Sequence, residues 1–321
     1  MNFWLNILAD FGIYVILALS LNVICGLTGL LQLGHAGFFA VGAYAAGLLA
    51  IYSYPATCFL GAGNLVLGCL AAAGAAAVLA ALIGLPCLRL RGDYLAIASL
   101  GFGEIVRHVL NNVEFPICAF ADRPPLGLAK GISLVSTVSG VTYVANYASW
   151  WVILIAAALT YLLMLNVKRS YLGRAMMCIR EDEIAARTMG VNVPGVKMTA
   201  FLLGAVVAGI AGALFVHNPY SGLRAAPGTF DLLKTVEILL IVVLGGLGSM
   251  TGSLVAAALL AFLPQLLRFL PTVAGIQLAQ HKQLLYALLL IVLIRLVPNG
   301  LLGLHECPAA LWQLLRRRPA P

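Results

Sequence analysis

The chain has little charge. Only 9% of its 321 residues are Asp, Glu, Lys or Arg, against about 25% in soluble domains. Hydrophobic residues make up 62% and the mean hydropathy is +1.03. This composition excludes a sizeable soluble domain and makes the chain an integral membrane protein. Motifs that carry chemistry are also missing. No G-x-x-x-x-G-K-S/T occurs, which excludes ATP binding through a P-loop. No H-E-x-x-H or G-x-S-x-G points to membrane enzymology. The seven cysteines, at 25, 58, 69, 87, 118, 178 and 307, form no C-x-x-C pair and no His-flanked cluster. A metal or disulfide framework is not expected, and most of these thiols act as small apolar fillers. No catalytic residue, metal or cofactor is expected. The net charge of +8 is no nucleic-acid signal, because the bases cluster at loop ends and at 316–318. Residues 1–26 lack a basic n-region and a small-x-small cleavage site and carry Asp10, so they read as a retained first span.

What is present is a series of apolar segments, most of them close to the roughly 20 residues a helix needs to cross about 30 Å of hydrocarbon, with 38–52 and 235–244 shorter. They fall at 5–25, 38–52, 64–88, 94–110, 148–167, 198–217, 235–244, 253–270 and 284–302. The expected fold is an all-α polytopic membrane protein of about nine transmembrane helices, a single domain over 1–321. The stretch 111–147, with Pro116, Pro124 and Pro125, reads as an external loop, with or without a short re-entrant piece.

The long polar interruption, 168–197, reads KRSYLGRAMMCIREDEIAARTMGVNVPGVK. It holds six bases and three acids between two uncharged spans, which assigns it to the cytoplasm. With it inside, alternation places eleven Lys and Arg inside and five outside. Leu172, Met176 and Ile179 recur at helical spacing, Glu183 precedes Arg187 by four, and Gly190 supplies a stop. The loop therefore carries a short amphipathic helix. It fits a solvated connector, a helix lying on lipid headgroups, or a docking knob for a soluble partner.

Two glycine-rich breaks, 26–37 and 245–252, fall in the two halves of the chain, each between consecutive spans. Each fits a tight turn or a broken helix beside a substrate path, and as a pair they point to an internal repeat. Glu104 and Arg107 stand three apart in an apolar segment and either neutralise each other or serve coupling. Proton coupling through Glu104 or Glu237 would make the chain a self-sufficient carrier, and a structural scaffold would need the breaks only as turns.

Several blocks together resemble one family, the LivM-like permease subunits of branched-chain amino acid ABC importers. They are LNVICGLTG from Leu21, LGHAGFF from Leu33, GAY from Gly42, LRLRGDYLAI from Leu88 and LGFGEIVR from Leu100. Further on come GRA from Gly173, IREDEIAA from Ile179, Met189-Gly190, AGIAG from Ala208 and GGLGS from Gly245. The blocks keep the family's order across nearly the whole chain. The resemblance implies a multi-pass permease of the bacterial inner membrane, in contact with lipid. It also implies a second homologous permease subunit, two cytoplasmic ATP-binding subunits and a periplasmic substrate-binding protein. It makes 168–197 the coupling segment. Within it the apolar stripe gives Met176 and Ile179 as residues inserted into an ATPase, or else packed against the chain's own spans. Arg180, Glu181 and Glu183 are orienting contacts, and Gly173, Arg174 and Gly190 are further coupling residues. With the glycine breaks read as lining a substrate site, the expected path residues are Asn22, Gly34, His35, Gly37, Phe38, Tyr44, Gly101, Glu104, Gly245, Gly246, Gly248 and Ser249. One block departs: members often carry Thr-Gly-Gly-x-Asn-Gly in the long external loop, where this chain reads ADRPPLGL from Ala121. The resemblance thus leaves urea and short amides open beside branched-chain amino acids.

Overall fold

The computed structural model describes residues 2–57, 62–88, 90, 92–112, 114–115, 126–127, 135–138, 141–144, 148–218 and 226–269. Helices dominate, as uncharged runs must in lipid, where every backbone polar group is satisfied within its own segment. They are α1 (Asn2–Leu21), α2 (His35–Thr57), α3 (Ala62–Cys87), α4 (Asp93–Asn112) and α5 (Trp150–Arg169). After these come α6 (Tyr171–Glu181), α7 (Glu183–Thr188), α8 (Val193–Val216), α9 (Leu232–Gly245) and α10 (Met250–Phe269). A π-helical turn, Asn22–Leu27, continues α1.

Among the described residues, four helices are long and apolar enough to cross a membrane: Trp4–Leu27, Asn64–Cys87, Trp150–Arg169 and Val193–Val216. Two shorter apolar helices, His35–Ala50 and Met250–Leu263, join them. The expected count of about nine is not reproduced, and the span expected at 284–302 lies outside the described residues. The expected external loop at 111–147 carries some regular structure among its described residues. It contains two small antiparallel pairs, β1 (Glu114–Phe115) with β2 (Leu126–Gly127) and β3 (Val135–Val138) with β4 (Val141–Val144). The second pair follows from β-branched and aromatic residues flanking Ser139-Gly140, a composition that favours strands.

In the apolar stretch of the first crossing helix 78% of residues are buried and in that of α8 72%, against 28% for α3 and 17% for α5, so α1 and α8 lie at the centre. Missing side chains make the centre tight. A Cβ on Gly42 of α2 would overlap the backbone of Gly209 of α8, and one on Gly209 would meet Ala76 and Ala72 of α3. Close helix approach through small residues is how membrane bundles gain van der Waals contact without a hydrophobic drive. Phe38 meets Phe201 edge to face at 5.5 Å in the same α2–α8 seam, and the order of contacts makes these helices parallel. α3 runs the other way, with Gly68 against His217 and Gly84 against Met198. The outer faces of α3, α4 and α5 show exposed Leu70, Leu82, Ile97, Ile105, Ile155 and Leu159.

The polar interruption is two helices rather than one. Ser170 caps α6, its Oγ accepting from Gly173 N at 3.3 Å. Asp182 caps α7, its Oδ1 accepting from Ile184 N at 2.8 Å and Ala185 N at 3.0 Å. Such caps satisfy N–H groups that a helix start leaves open. Gly190, at φ 83°, turns the chain, and Asn192 caps α8 with Pro194 inside its first turn.

Candidate functional site

The first break is not a tight turn. The chain leaves the π-turn, passes Gly29 at φ 72°, and crosses without helix to His35. Thr28, Gln32 and His35 are buried there. Neighbouring helices satisfy its backbone: Leu33 N donates to Ser99 Oγ of α4 at 3.0 Å, and Ala36 N to Thr235 Oγ1 of α9 at 3.1 Å. Irregular backbone survives at membrane depth only with such partners. The second break is compact, turning from α9 into α10 through Gly246 at φ 101° and Gly248 at φ 83°. The two breaks therefore differ in local geometry, and the expected repeat is not apparent in them.

They meet each other. Asn22, in the π-turn, donates through Nδ2 to Ser249 O and to Ser253 Oγ, both at 2.9 Å. Its Oδ1 accepts from Gly248 N at 2.8 Å. A Cβ on Gly26 would overlap both the Asn22 carboxamide and the Gly248 amide. One side chain and one bare glycine thus lock the end of α1 onto the α9–α10 turn.

The polar loop reaches the same place. Arg180 of α6 donates from Nη1 to Gly26 O at 2.7 Å, with Leu247 O at 3.5 Å. Lys168, at the end of α5, donates from Nζ to Gly248 O at 2.7 Å. One cation thus ends on a carbonyl at the C-terminal end of the α1 π-turn, where the dipole is negative, and the other on a turn carbonyl between α9 and α10. The apolar stripe also points inward: Met176 is 0% exposed and Ile179 5%. Of the two readings open for them, insertion into an ATPase or packing on the chain itself, the second is what the structure has: Met176 joins the main core and Ile179 packs with Ala186 and Val193. The large apolar side chains exposed on the loop are Tyr171, Ile184 and Met189. Glu183 bonds Lys197 at 2.7 Å and Arg187 at 3.4 Å, so the expected helical pair forms and a buried lysine joins it.

The family model for the branched-chain amino acid transport system / permease component matches residues 3–294. The chain belongs to that family. The permease is 38% identical over 307 residues to the high-affinity branched-chain amino acid transport system permease protein LivM of Salmonella typhimurium, covering 90% of this chain and 68% of that one. LivM of Escherichia coli shows the same identity and coverage. LivH of Escherichia coli is 30% identical over 162 residues, 49% of this chain and 47% of that one. No solved structure matches the permease.

The remaining expected path residues divide. Gly34, Gly37 and Phe38 line a cavity of about 10 Å³ with Gln32, Ser99 and Gly103 of the permease. Gly34, Gly37 and Glu104 line a second of about 10 Å³ with Asp231 and Thr235. Each has room for about one water. Ser20 donates to Leu17 O and so accepts from His35 Nε2 at 2.7 Å, which ties His35 to α1. Glu104 pairs with Arg107 at 2.7 Å, the local pair expected. Tyr44 sits apart, edge-on to Phe230 at 6.1 Å. Gly101 lines neither cavity, and a Cβ there would meet open space. Gly245 packs on Gly252 across the α9–α10 turn.

Sequence reasoning missed Lys168, Gln32, Ser99, Gly103 and Thr235 as parts of this centre. Gln32 is buried, and its carboxamide makes no hydrogen bond among the described residues. A polar residue inside a glycine break is the signal that would have singled it out. Nothing comparable marks Lys168, which looks like any base at a span end.

Proposed function

We propose that the permease is one transmembrane half of an ABC importer carrying branched-chain amino acids across the bacterial inner membrane. The observation that carries this is its 38% identity with LivM over 90% of the chain. Two separate cytoplasmic ATPases supply the energy, and a periplasmic binding protein delivers substrate. A second permease subunit akin to LivH completes the pathway. The segment 168–197 faces the cytoplasm and is the coupling loop. Its ATPase contacts are the exposed Arg174, Glu181, Ile184, Met189 and Gly190, with Gly173 permitting the tight α5–α6 corner and Glu183 bracing α7 against Lys197.

The substrate path runs beside the first break, where Gln32, Ser99 and bare backbone offer hydrogen bonds to a zwitterion without placing fixed charge in lipid. Cavities of about 10 Å³ there represent a closed path, and opening requires α4 to part from the Gly34–Gly37 segment. The second permease lies against α4, whose outward side carries the Glu104–Arg107 pair at 30% and 29% exposure. Ionisable groups at membrane depth meet protein or water rather than acyl chains. The carrier alternative has less support, because Glu104 is held by Arg107 and Glu237 by Lys234 at 2.9 Å.

Reconstitution tests the reading. Leucine uptake into liposomes should require the second permease, both ATPases, the binding protein and ATP. Ion-driven uptake by this chain alone would replace the reading with a secondary carrier. ATP-driven uptake of urea in place of leucine would keep the machine and change the substrate.

A further inference from the structure

We infer that Lys168 and Arg180 are positioning residues that tie the coupling loop directly to the two glycine breaks, so that movement of the loop is delivered to the substrate path as a pull on two backbone carbonyls; this rests on the importer reading above.

The two contacts share an unusual form. Each is a long cationic side chain from the loop region ending on a carbonyl of a glycine: Arg180 Nη1 on Gly26 O and Lys168 Nζ on Gly248 O, both at 2.7 Å. Carbonyls at helix ends and turns have no intrahelical donor, so an outside donor fixes where the turn sits. The glycines let the donors come close. A Cβ on Gly248 would lie 2.9 Å from Arg180 Nη1, and one on Gly29 would lie 3.3 Å from Arg180 Cγ.

The two anchored carbonyls are themselves joined. Gly26 belongs to the π-turn that holds Asn22, and Asn22 Oδ1 takes the Gly248 amide at 2.8 Å. A displacement of either carbonyl therefore moves both breaks. Within the first break the chain is bonded onward through Leu33 to Ser99 of α4 and through Ala36 to Thr235 of α9, which line the two small cavities.

The donors and the loop form one body. Met176 and Ile179 are buried on the same helix as Arg180, and Lys168 stands two residues before the Ser170 cap of α6. A force on α6 and α7 reaches both cations through helix and packing rather than through a flexible linker. A merely decorative base at a loop end would point to water or headgroups instead.

The test uses the assembled transporter in liposomes and reads leucine transported per ATP hydrolysed, with ATPase co-purification and melting temperature measured beside it. Arg180→Gln and Lys168→Met should keep the ATPases bound and hydrolysing while transport per ATP falls about tenfold or more, the equilibrium weight of one charge-assisted hydrogen bond. Arg180→Lys keeps charge and one donor and should give an intermediate ratio. It also serves as the readout should the neutral variant fail to fold. An unchanged ratio in Arg180→Lys and in either neutral variant that assembles would overturn the inference. So would hydrolysis and transport falling in proportion, since that marks a structural cap. If the unmodified chain recovers no ATPase at all, the importer reading fails first, and this inference fails with it.

Discussion

Asn22 commits its whole carboxamide to the second glycine break: two donor bonds to Ser249 O and Ser253 Oγ and one acceptor bond from Gly248 N. Ser249 O retains Ser253 as a donor, but Gly248 N has no other described acceptor. Replacing Asn22 with Leu therefore strands a buried N–H and removes the α1–α10 link. The expected loss is about 2–4 kcal/mol, since interhelical bonds in membranes average under 1 kcal/mol each while an orphaned donor adds about 1–3. Thermal unfolding in detergent should show a clear drop for Asn22→Leu and a smaller one for Ser253→Ala. Equal melting of Asn22→Leu and the parent would mean the clamp carries no weight. Glycines make a sharper contrast. At Gly245 a Cβ would sit 2.5 Å from the Gly252 carbonyl carbon and from Ser253 N. Gly245→Ala should cost about 1–3 kcal/mol by overpacking. Gly101 faces open space within a helix, so Gly101→Ala should be neutral or stabilising by about 0.5–1 kcal/mol. The same melting assay decides both, and a Gly101→Ala loss matching that of Gly245→Ala would remove the packing argument.

At the scale of elements, α6 and α7 show what a sequence pattern can and cannot say. The spacing of Leu172, Met176 and Ile179 identified an apolar face. Periodicity does not say what covers that face, because a helix packed on its own bundle and one docked on a partner have the same stripe. In the structure it turns inward, and the large apolar groups left exposed on the loop are Tyr171 at the start of α6 and, on α7 and its end, Ile184 at 77% and Met189 at 83%. Met176→Ser and Ile179→Ser should therefore cost about 2–5 kcal/mol each in stability, as truncations in a core do. Ile184→Ser with Met189→Ser should leave melting unchanged and reduce ATPase recovery on co-purification. The reverse pattern would put the docking face back on the stripe. Orientation has its own check: a single cysteine at Thr188, exposed at the end of α7, should resist an impermeant thiol reagent in intact cells and react in inverted vesicles. The breaks were legible because glycine clusters interrupt apolar runs, and Glu104–Arg107 because helical spacing alone sets it. Their meeting through Asn22 was not, since a contact spanning 226 residues leaves no local trace.

For the whole molecule, the distribution of exposure separates lipid from partner. The spans at α3 and α5 are mostly unburied and carry apolar side chains outward without an ionisable group among the exposed ones at mid-helix, such as Leu70, Val78, Ile155 and Leu159. α4 is also exposed along Ile97, Ile105 and Val109, yet Glu104, Arg107 and His108 share that helix. A pure lipid face would make those groups costly, which is the support for the proposed contact of a second permease subunit with the α4 side. Lysine substitutions tell the two faces apart. At Leu159, 62% exposed near the middle of α5, a lysine costs about 2.5–3.5 kcal/mol of insertion. Leu159→Lys should therefore sharply lower the amount of chain recovered in the membrane fraction. Ile105→Lys places the new charge beside Glu104, within the proposed interface, so the chain should insert at near-normal levels but recover less of the second permease on co-purification. Normal insertion with lost assembly for Leu159→Lys would exchange the two faces, moving the partner from α4 to α5 and leaving the Glu104–Arg107 pair to be explained by a water-filled path alone.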